Sequence, residues 1–211
     1  MAILNYSDMV SAVAAWLIDR TDLLSRIPDF ITIAENNIYR DMDLRQMETA
    51  LSLSVPAGGA ATVPSNYKKL KNVYITTSPY TTLERKDAEF IYKYYSSRGA
   101  TATPRFIARD GSSFIFGPAP DAAYTLAGTY YAYLTALSDA NPTNWIFDNR
   151  AQDLLLFGAL VEASPYLGND ARIPVWQSKY GNAQAQIMRA NNEEEYSGSS
   201  IRATYNQGGM S

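Results

Sequence analysis

Carboxylates come in groups along this chain: Asp19 with Asp22, Asp41 with Asp43, and the run Glu193 to Glu195. Two facing carboxylates, one with a raised pKa, are the equipment of acid–base hydrolysis, glycoside cleavage above all. Raising a carboxylate pKa needs burial or a close like charge. These groups lie at polar helix ends, so solvated surface charge is the expectation. Sixteen tyrosines, clustered at Tyr92, Tyr94, Tyr95 and at Tyr130, Tyr131, Tyr133, would supply ring platforms for a carbohydrate. The same rings are enriched at protein interfaces, because they cover area and keep a polar tip. The stretch "RDGSS", Arg109 to Ser113, looks like an anion-binding nest, yet as a hairpin turn it needs no ligand. Lys68, Lys69 and Lys71 form a basic cluster. It fits either contact with an acidic neighbour or nucleic acid, or a wet edge that deters sheet pairing, and the second is expected.

The chain has no histidine and no cysteine. Ser-His-Asp and Cys-His catalysis and every zinc site built on His or Cys are thereby excluded. No EF-hand spacing appears, and no cofactor or metal is expected. The net charge of -3 gives no global basic field for DNA. Charge is segregated, however: Met1 to Glu48 sums to -4, Thr49 to Ala136 to +4, and Leu137 to Ser211 to -3. A basic middle between acidic flanks suits contact with acidic partners, other copies included. The start "MAILNYSDMV" lacks the form of a signal peptide, and the apolar run Leu154 to Ala163 is far short of the about 20 residues that span a bilayer. A soluble protein without membrane contact is expected.

The elements that must position these residues follow from periodicity. Ser7 is expected to cap a first helix, with Met9, Val13 and Leu17 on one face. After a break at Arg20 to Arg26, Pro28 opens a second helix. Its stripe is Ile27, Ile31, Ala34, Ile38 and Met42, and its wet side is Glu35, Asn36, Arg40 and Asp43. From Thr49 the period becomes two. Leu51, Leu53 and Val55 read as a strand, "PAGGA" as a turn, and Ala61 to Val63 as the returning partner strand. Lys71 to Thr76 and Tyr124 to Leu134 read as strands, and "KDAEFIYKYYSS" as a short helix. "PRFIARDGSSFIFGP" reads as a hairpin turning at Asp110-Gly111. In the long strand, alternation sends Tyr130 to one face and Tyr131 and Tyr133 to the other. Helix returns at about Phe147 and stops before Pro165, and again runs from Asp170–Pro174 to about Glu195, the last with Val175, Trp176, Tyr180, Ala183 and Ile187 as its stripe.

The expected fold is therefore α+β. A four-helix layer is made by 1–48 and 137–195, a small antiparallel β module spans 49–136, and an extended tail spans 196–211. The helix over Leu154 to Ala163 is apolar almost all round, with only Gly158 and Glu162 interrupting, so other helices or neighbouring subunits must enclose it. Trp145, Leu154, Leu156, Phe157, Leu160 and Trp176 are the candidate packing and assembly residues. In the tail, Ile201, Arg202 and Tyr205 suit an extended segment laid on a partner.

The stretch "LSDANPTNWIFDNRAQDLLLFGALVEASPYLGNDARIPVWQSKY" resembles the C-terminal helical region of the head-to-tail adaptor (connector) proteins of short-tailed bacteriophages. Leu137-Ser138-Asp139, Thr143-Asn144-Trp145, "GALVEASPYL", Asp170, Arg172 and Trp176 carry the likeness. "IPDFITIAENNIYRDMDLRQME" and "VPSNYKKL" agree in the same order. The pattern ends near Glu195. The resemblance implies a non-enzymatic virion protein of the neck, made in the host cytoplasm. It implies a homo-oligomeric ring of twelve copies that binds the portal and a tail or nozzle protein and lets genomic DNA pass without sequence recognition. Another neck or tail-tube completion protein is the alternative, and a carbohydrate-active enzyme the more distant one.

Overall fold

The computed structural model describes residues 2–18, 20–95, 100–168 and 170–196. The fold is α+β, as expected. Contacts divide the chain into two compact units, Met1–Ala34 with Pro142–Ser211, and Glu35–Asn141. The tail expected at 196–211 lies, from residue 197 on, outside the described residues.

The first unit is helical. Helix α1, Tyr6–Leu17, is capped by Asn5, whose side chain accepts from Asp8 N at 3.0 Å. The Asp8 carboxylate in turn accepts from Leu4 N. Ser7, the expected cap, is already inside the helix, whereas Asn5 has the three-residue spacing that reaches an orphan N–H. The expected break is a 3₁₀ helix, Thr21–Arg26. Helix α2, Ile27–Asp41, follows directly and contributes its residues up to Ala34 to this unit. The expected single helix from Phe147 is two. Helix α4, Trp145–Asp148, is capped by Asn144, and Arg150 at φ 57° interrupts before α5, Gln152–Ala163. A non-glycine residue in the left-handed region cannot continue a right-handed helix, so the axis restarts there. Pro165 then converts the end of α5 into a 3₁₀ turn, Ser164–Tyr166. Helix α6, Ile173–Tyr196, completes the unit. Helix α5 contacts both α1 and α6. Leu154, Leu155, Leu156, Ala159, Leu160 and Ala163 are all buried, as an apolar-all-round helix requires.

The second unit opens with the rest of α2. Ile38 and Met42 are buried as the stripe demands, but so is Glu35, at 1% exposure. The wet-side reading of Glu35 is overturned. Its carboxylate accepts from Tyr39 Oη at 2.9 Å and from Leu137 N at 2.9 Å, which offset its desolvation.

Two four-stranded sheets follow. The first has the order β1 (Glu48–Val55), β8 (Tyr124–Ala132), β3 (Tyr67–Ile75), β4 (Thr81–Thr82). The second has β2 (Ala61–Thr62), β7 (Ser113–Gly117), β6 (Phe106–Asp110), β5 (Glu84–Arg85). Pairing is antiparallel except between β5 and β6. One core joins the sheets, with Leu51, Val55, Leu70, Val73 and Leu126 from the first against Ile107, Phe114 and Phe116 from the second. The expected β1–β2 hairpin is not formed. Strand β1 pairs with β8 over its whole length, Glu48↔Tyr131 to Val55↔Tyr124, while β2 joins β7 in the other sheet. A two-residue strand cannot compete with a nine-residue one for the ladder of β1. The β6–β7 hairpin turns one residue later than expected, at Gly111-Ser112, with Asp110 still paired to Ser113 and Gly111 at φ 58°. Helix α3, Ala88–Tyr94, capped by Asp87, packs on β6 and β7.

Tyr130 and Tyr131 are both buried on their opposite faces, so the core absorbs part of the tyrosine excess. Tyr130 Oη donates to Asn66 Oδ1 at 2.9 Å. Strand β3 shifts register against β8 between Leu70 and Asn72. There Gly128 is in close contact: a Cβ would lie 2.2 Å from the Asn72 carbonyl oxygen and 2.9 Å from Val73 Cα. Gly128→Ala is expected to destabilise by about 1–3 kcal/mol, because backbone rather than a rotatable side chain must give way. Glu35→Ala is expected to cost about 2–3 kcal/mol by leaving two buried donors short of their acceptor. Urea midpoints of both variants check these values, and an unchanged midpoint would contradict the packing or the hydrogen bonds described.

Candidate assembly surfaces

The carboxylate groups act as clamps. Asp22 takes a bidentate pair from Arg20, Nε to Oδ1 at 2.9 Å and Nη2 to Oδ2 at 2.8 Å. That hydrogen bonding holds its carboxyl below the ordinary value. Burial pushes the Asp43 carboxyl up, but hydrogen bonds from Lys69 and Lys68 together outweigh burial and bring it down. Glu193 lies 3.4 Å from Arg189. Asp41 is exposed, and Asp19 lies outside the described residues. Both shifted members move away from the raised pKa that a general acid requires. No three or more Asp and Glu among the described residues are grouped to hold a metal ion.

The lysine cluster is likewise accounted for. Lys68 Nζ donates to the Met42 carbonyl at 2.7 Å and pairs with Asp43, Lys69 pairs with Asp43 at 2.8 Å, and Lys71 with Glu48 at 2.7 Å. β4 pairs with β3 only at Tyr74 and Ile75, so the stretch with these lysines has a strand partner, β8, on one side only, as the edge reading expects. Its lysines tie the sheet to the segment that links α2 to β1.

In the helical unit the candidate residues divide. Trp145, Leu154, Leu156, Leu160 and Trp176 are buried within the chain, and Phe157 is half-buried. The Trp145 indole nitrogen is buried without a hydrogen-bond partner among the described residues. The unit also exposes Trp16, Ile18, Leu24, Ile33, Tyr166 and Val175. Sequence reasoning did not single out this set, and it took Val175 for core. Its one legible signal was an excess of large apolar residues over what a helix stripe can hold.

The surface is braced. Trp16 meets Phe157 edge-on at 5.6 Å. Arg172 forks onto Asp170, donates to the Trp16 carbonyl at 3.0 Å, and lies over the Trp176 ring at 5.1 Å. The Arg172 hydrogen bonds lower the Asp170 pKa. Arg20 Nη1 donates to the Tyr166 carbonyl at 2.8 Å, and the Tyr166 ring packs between Phe30, at 5.4 Å, and the Arg26 guanidinium, at 5.4 Å. Those rings border a groove of about 520 Å³ lined also by Asp29, Thr32, Ile33, Glu162 and Pro165. Ile18, at φ 31° and 60% exposed, combines an unfavourable backbone with an exposed β-branched side chain. An apolar rim of this kind, bordered by fixed charges, has the composition of a protein–protein contact.

The family model described as the SU10 adaptor protein matches residues 4–204. The chain belongs to the SU10 adaptor protein family. It is thus a bacteriophage adaptor, a structural protein of the virion, in agreement with the head-to-tail adaptor resemblance. No curated protein matches it. The matched segment of the adaptor runs beyond α6 and takes in Ile201 and Arg202, so the pattern does not end near Glu195. Tyr205 lies just outside it, and all three tail residues lie outside the described residues. No helix among the described residues is long and apolar enough to cross a membrane.

The clamps give the adaptor an acid sensitivity of known sign. Asp22, Asp43 and Asp170 have folded-state pKa values below the ordinary 3.8. The stability they contribute is complete above that value and is lost as pH falls through the lowered ones. Lys68→Met with Lys69→Met removes the groups that depress Asp43 and leaves the burial that raises it. The difference between urea midpoints at pH 7 and pH 3 is expected to narrow in this double variant. A difference equal to that of the wild type would show that the clamp adds no stability.

Proposed function

We propose that the adaptor forms a ring at the head–tail junction, joins the portal to a tail or nozzle protein, and extends the channel through which the genome passes. The observation that carries this reading is the family match over residues 4–204. The exposed rim around Trp16, Ile18 and the Tyr166 groove supports it, because a lone copy would leave these apolar groups in water. The ring has twelve copies, to match the portal, and its helical unit is the assembly layer. DNA passes and is not read. The unit made of the chain ends carries eleven acids against seven bases, and an acidic or neutral lumen lets a polyanion slide. An image of the particle down its axis, showing a ring of this protein under the portal, tests the assignment; a single off-axis copy would overturn it. Phe157→Asp places a charge beside Trp16 in the assembly layer, and loss of folding or of ring formation is the expected result. A folded variant that still assembles and attaches tails would remove the helical layer from the interface.

The tail is an intermolecular arm, with Ile201 and Tyr205 as anchors and Arg202 between them, and the portal is its partner. An extended segment gains its affinity from alternate side chains seated in pockets and from backbone pairing. Deletion after Glu195 is expected to leave the fold intact and abolish attachment to portal-bearing heads. Attachment at wild-type affinity would exclude the arm.

A further inference from the structure

We propose that the groove beside Tyr166 in one adaptor copy receives the Lys93–Tyr94 end of α3 from a second copy, with Lys93 against Asp29 and the Tyr94 ring on the apolar wall. The proposal rests on the ring reading above and names one contact within it. The groove, of about 520 Å³, lies wholly within the helical unit. Phe30, Ile33, Pro165 and Tyr166 give it apolar walls, and Arg26, Asp29 and Glu162 give it charge. An apolar cavity of about 150 Å³ takes a benzene ring, so this groove has room for an aromatic side chain and the stem of a second residue. Two of its three charged groups are already engaged. Arg26 lies over the Tyr166 ring at 5.4 Å, and Glu162 has an interaction within the chain. The third, Asp29, is exposed, and its carboxylate has no hydrogen-bond or ion-pair partner among the described residues. An acid left open beside apolar walls selects a cation carried next to an apolar group.

The occupant is argued from charge and composition. Helix α3 ends in Lys93 and Tyr94, both exposed, Tyr94 at 63%. The Tyr94 ring is set before any partner arrives, with Phe90 at 4.9 Å and Lys93 Nζ 5.6 Å from its centroid. Lys93 forms no salt bridge with a carboxylate among the described residues. Tyr80 is also exposed, but it stands among threonines, a serine and a proline from Thr76 to Thr82 and brings no charge. A tyrosine beside a lysine suits the groove. The ring covers area at little conformational cost, and the lysine stem lies along apolar surface while its ammonium reaches an acid. The two units differ in charge in the same sense. The one that carries the groove has eleven acids against seven bases, and the one that carries α3 has ten against eleven. A contact that joins two different patches of one chain is heterologous, and repeated with a closing rotation it generates a ring.

Full-length chains assembled on portal-bearing heads test the contact by charge exchange. Asp29→Lys, Lys93→Glu and an equal mixture of the two are compared with wild type. Both positions are exposed, and circular dichroism first establishes that the variants fold. Each variant alone is expected to load at least ten-fold fewer copies per head, because every junction then opposes like charges. The mixture is expected to restore loading, because every junction of an alternating ring again joins opposite charges. Tyr94→Ala, which removes the ring and leaves every charge, is expected to lower loading as well. Full loading by either charge variant alone, seen as an intact ring in axial images, would overturn this contact and leave the ring reading standing. Loss in both charge variants without recovery in the mixture would assign the groove to the portal or a tail protein and refute the proposal. Wild-type heads whose adaptors have no side-by-side neighbours would overturn the ring and the contact together.

Discussion

An insertion must return the chain to the place where it departed, and here a buried carboxylate sets that condition. Glu35 is the first residue of the inserted unit and Leu137 lies near its end, and the two are joined by a 2.9 Å hydrogen bond. Burying a carboxylate without partners is costly, so alternatives in which Leu137 or Tyr39 lies elsewhere are disfavoured. The β strands between these points need only satisfy their own ladders. Strand β8, which leads back to Leu137, accordingly sits inside its sheet, paired on one edge with β1 and on the other with β3. The bulged passage beside Gly128 lets β3 keep that place despite its register shift.

Charged groups elsewhere serve the same end of fixing geometry. Arg172 restrains Asp170, the end of α1 and the face of Trp176 at once, because a planar fork has donors enough for several partners. Lys68 ties a backbone carbonyl and Asp43 together. An adaptor has to hold its surfaces in place for partners on more than one side. Pre-ordered side chains reduce the entropy lost when those partners dock. The exposed rim of Trp16, Ile18 and Tyr166 is fixed in this way, by Arg172 at one point and by Arg20 and Arg26 at another.

The parts of this arrangement legible in the sequence are those set by local periodicity. The stripes Met9, Val13, Leu17 and Ile27, Ile31, Ala34, Ile38, Met42 are buried as read, and α5 is enclosed as its composition requires. Glu35 shows where that logic stops. It lies four residues from both Ile31 and Tyr39, on the inward stripe by position, but its charge argued for the outside. The Tyr39 hydroxyl and the distant Leu137 N–H reconcile the two. The partner of β1 was hidden for a related reason: strand pairing is settled by total ladder length and burial across the chain, and a nearby glycine-rich turn speaks only for proximity. The rim was hidden because an isolated valine or isoleucine in a helix reads the same way whether it faces a core or a partner, as Val175 illustrates. The assembly character of the protein was legible chiefly by elimination of His and Cys chemistry and by family pattern.

The same lack of histidine and cysteine shapes how the charges of the chain respond to conditions. No side chain in the chain has an ordinary pKa between that of glutamate, about 4.3, and that of tyrosine, about 10. The resolved shifts of Asp22, Asp43 and Asp170 run downward and that of Tyr124, from its bond to Asp121, upward, so all four lie outside this interval. Charges at the surface of the adaptor also meet the salt of the medium. Ionic strength still acts on them, because exposed charges are screened over about 10 Å at 0.1 M salt. Contacts with an apolar floor lose less to salt than bare ion pairs do, since hydrophobic burial is not screened. The concavity that sets Arg85 and Arg109 around Tyr67 and Phe114 thus combines screened charge with an apolar floor that salt does not screen.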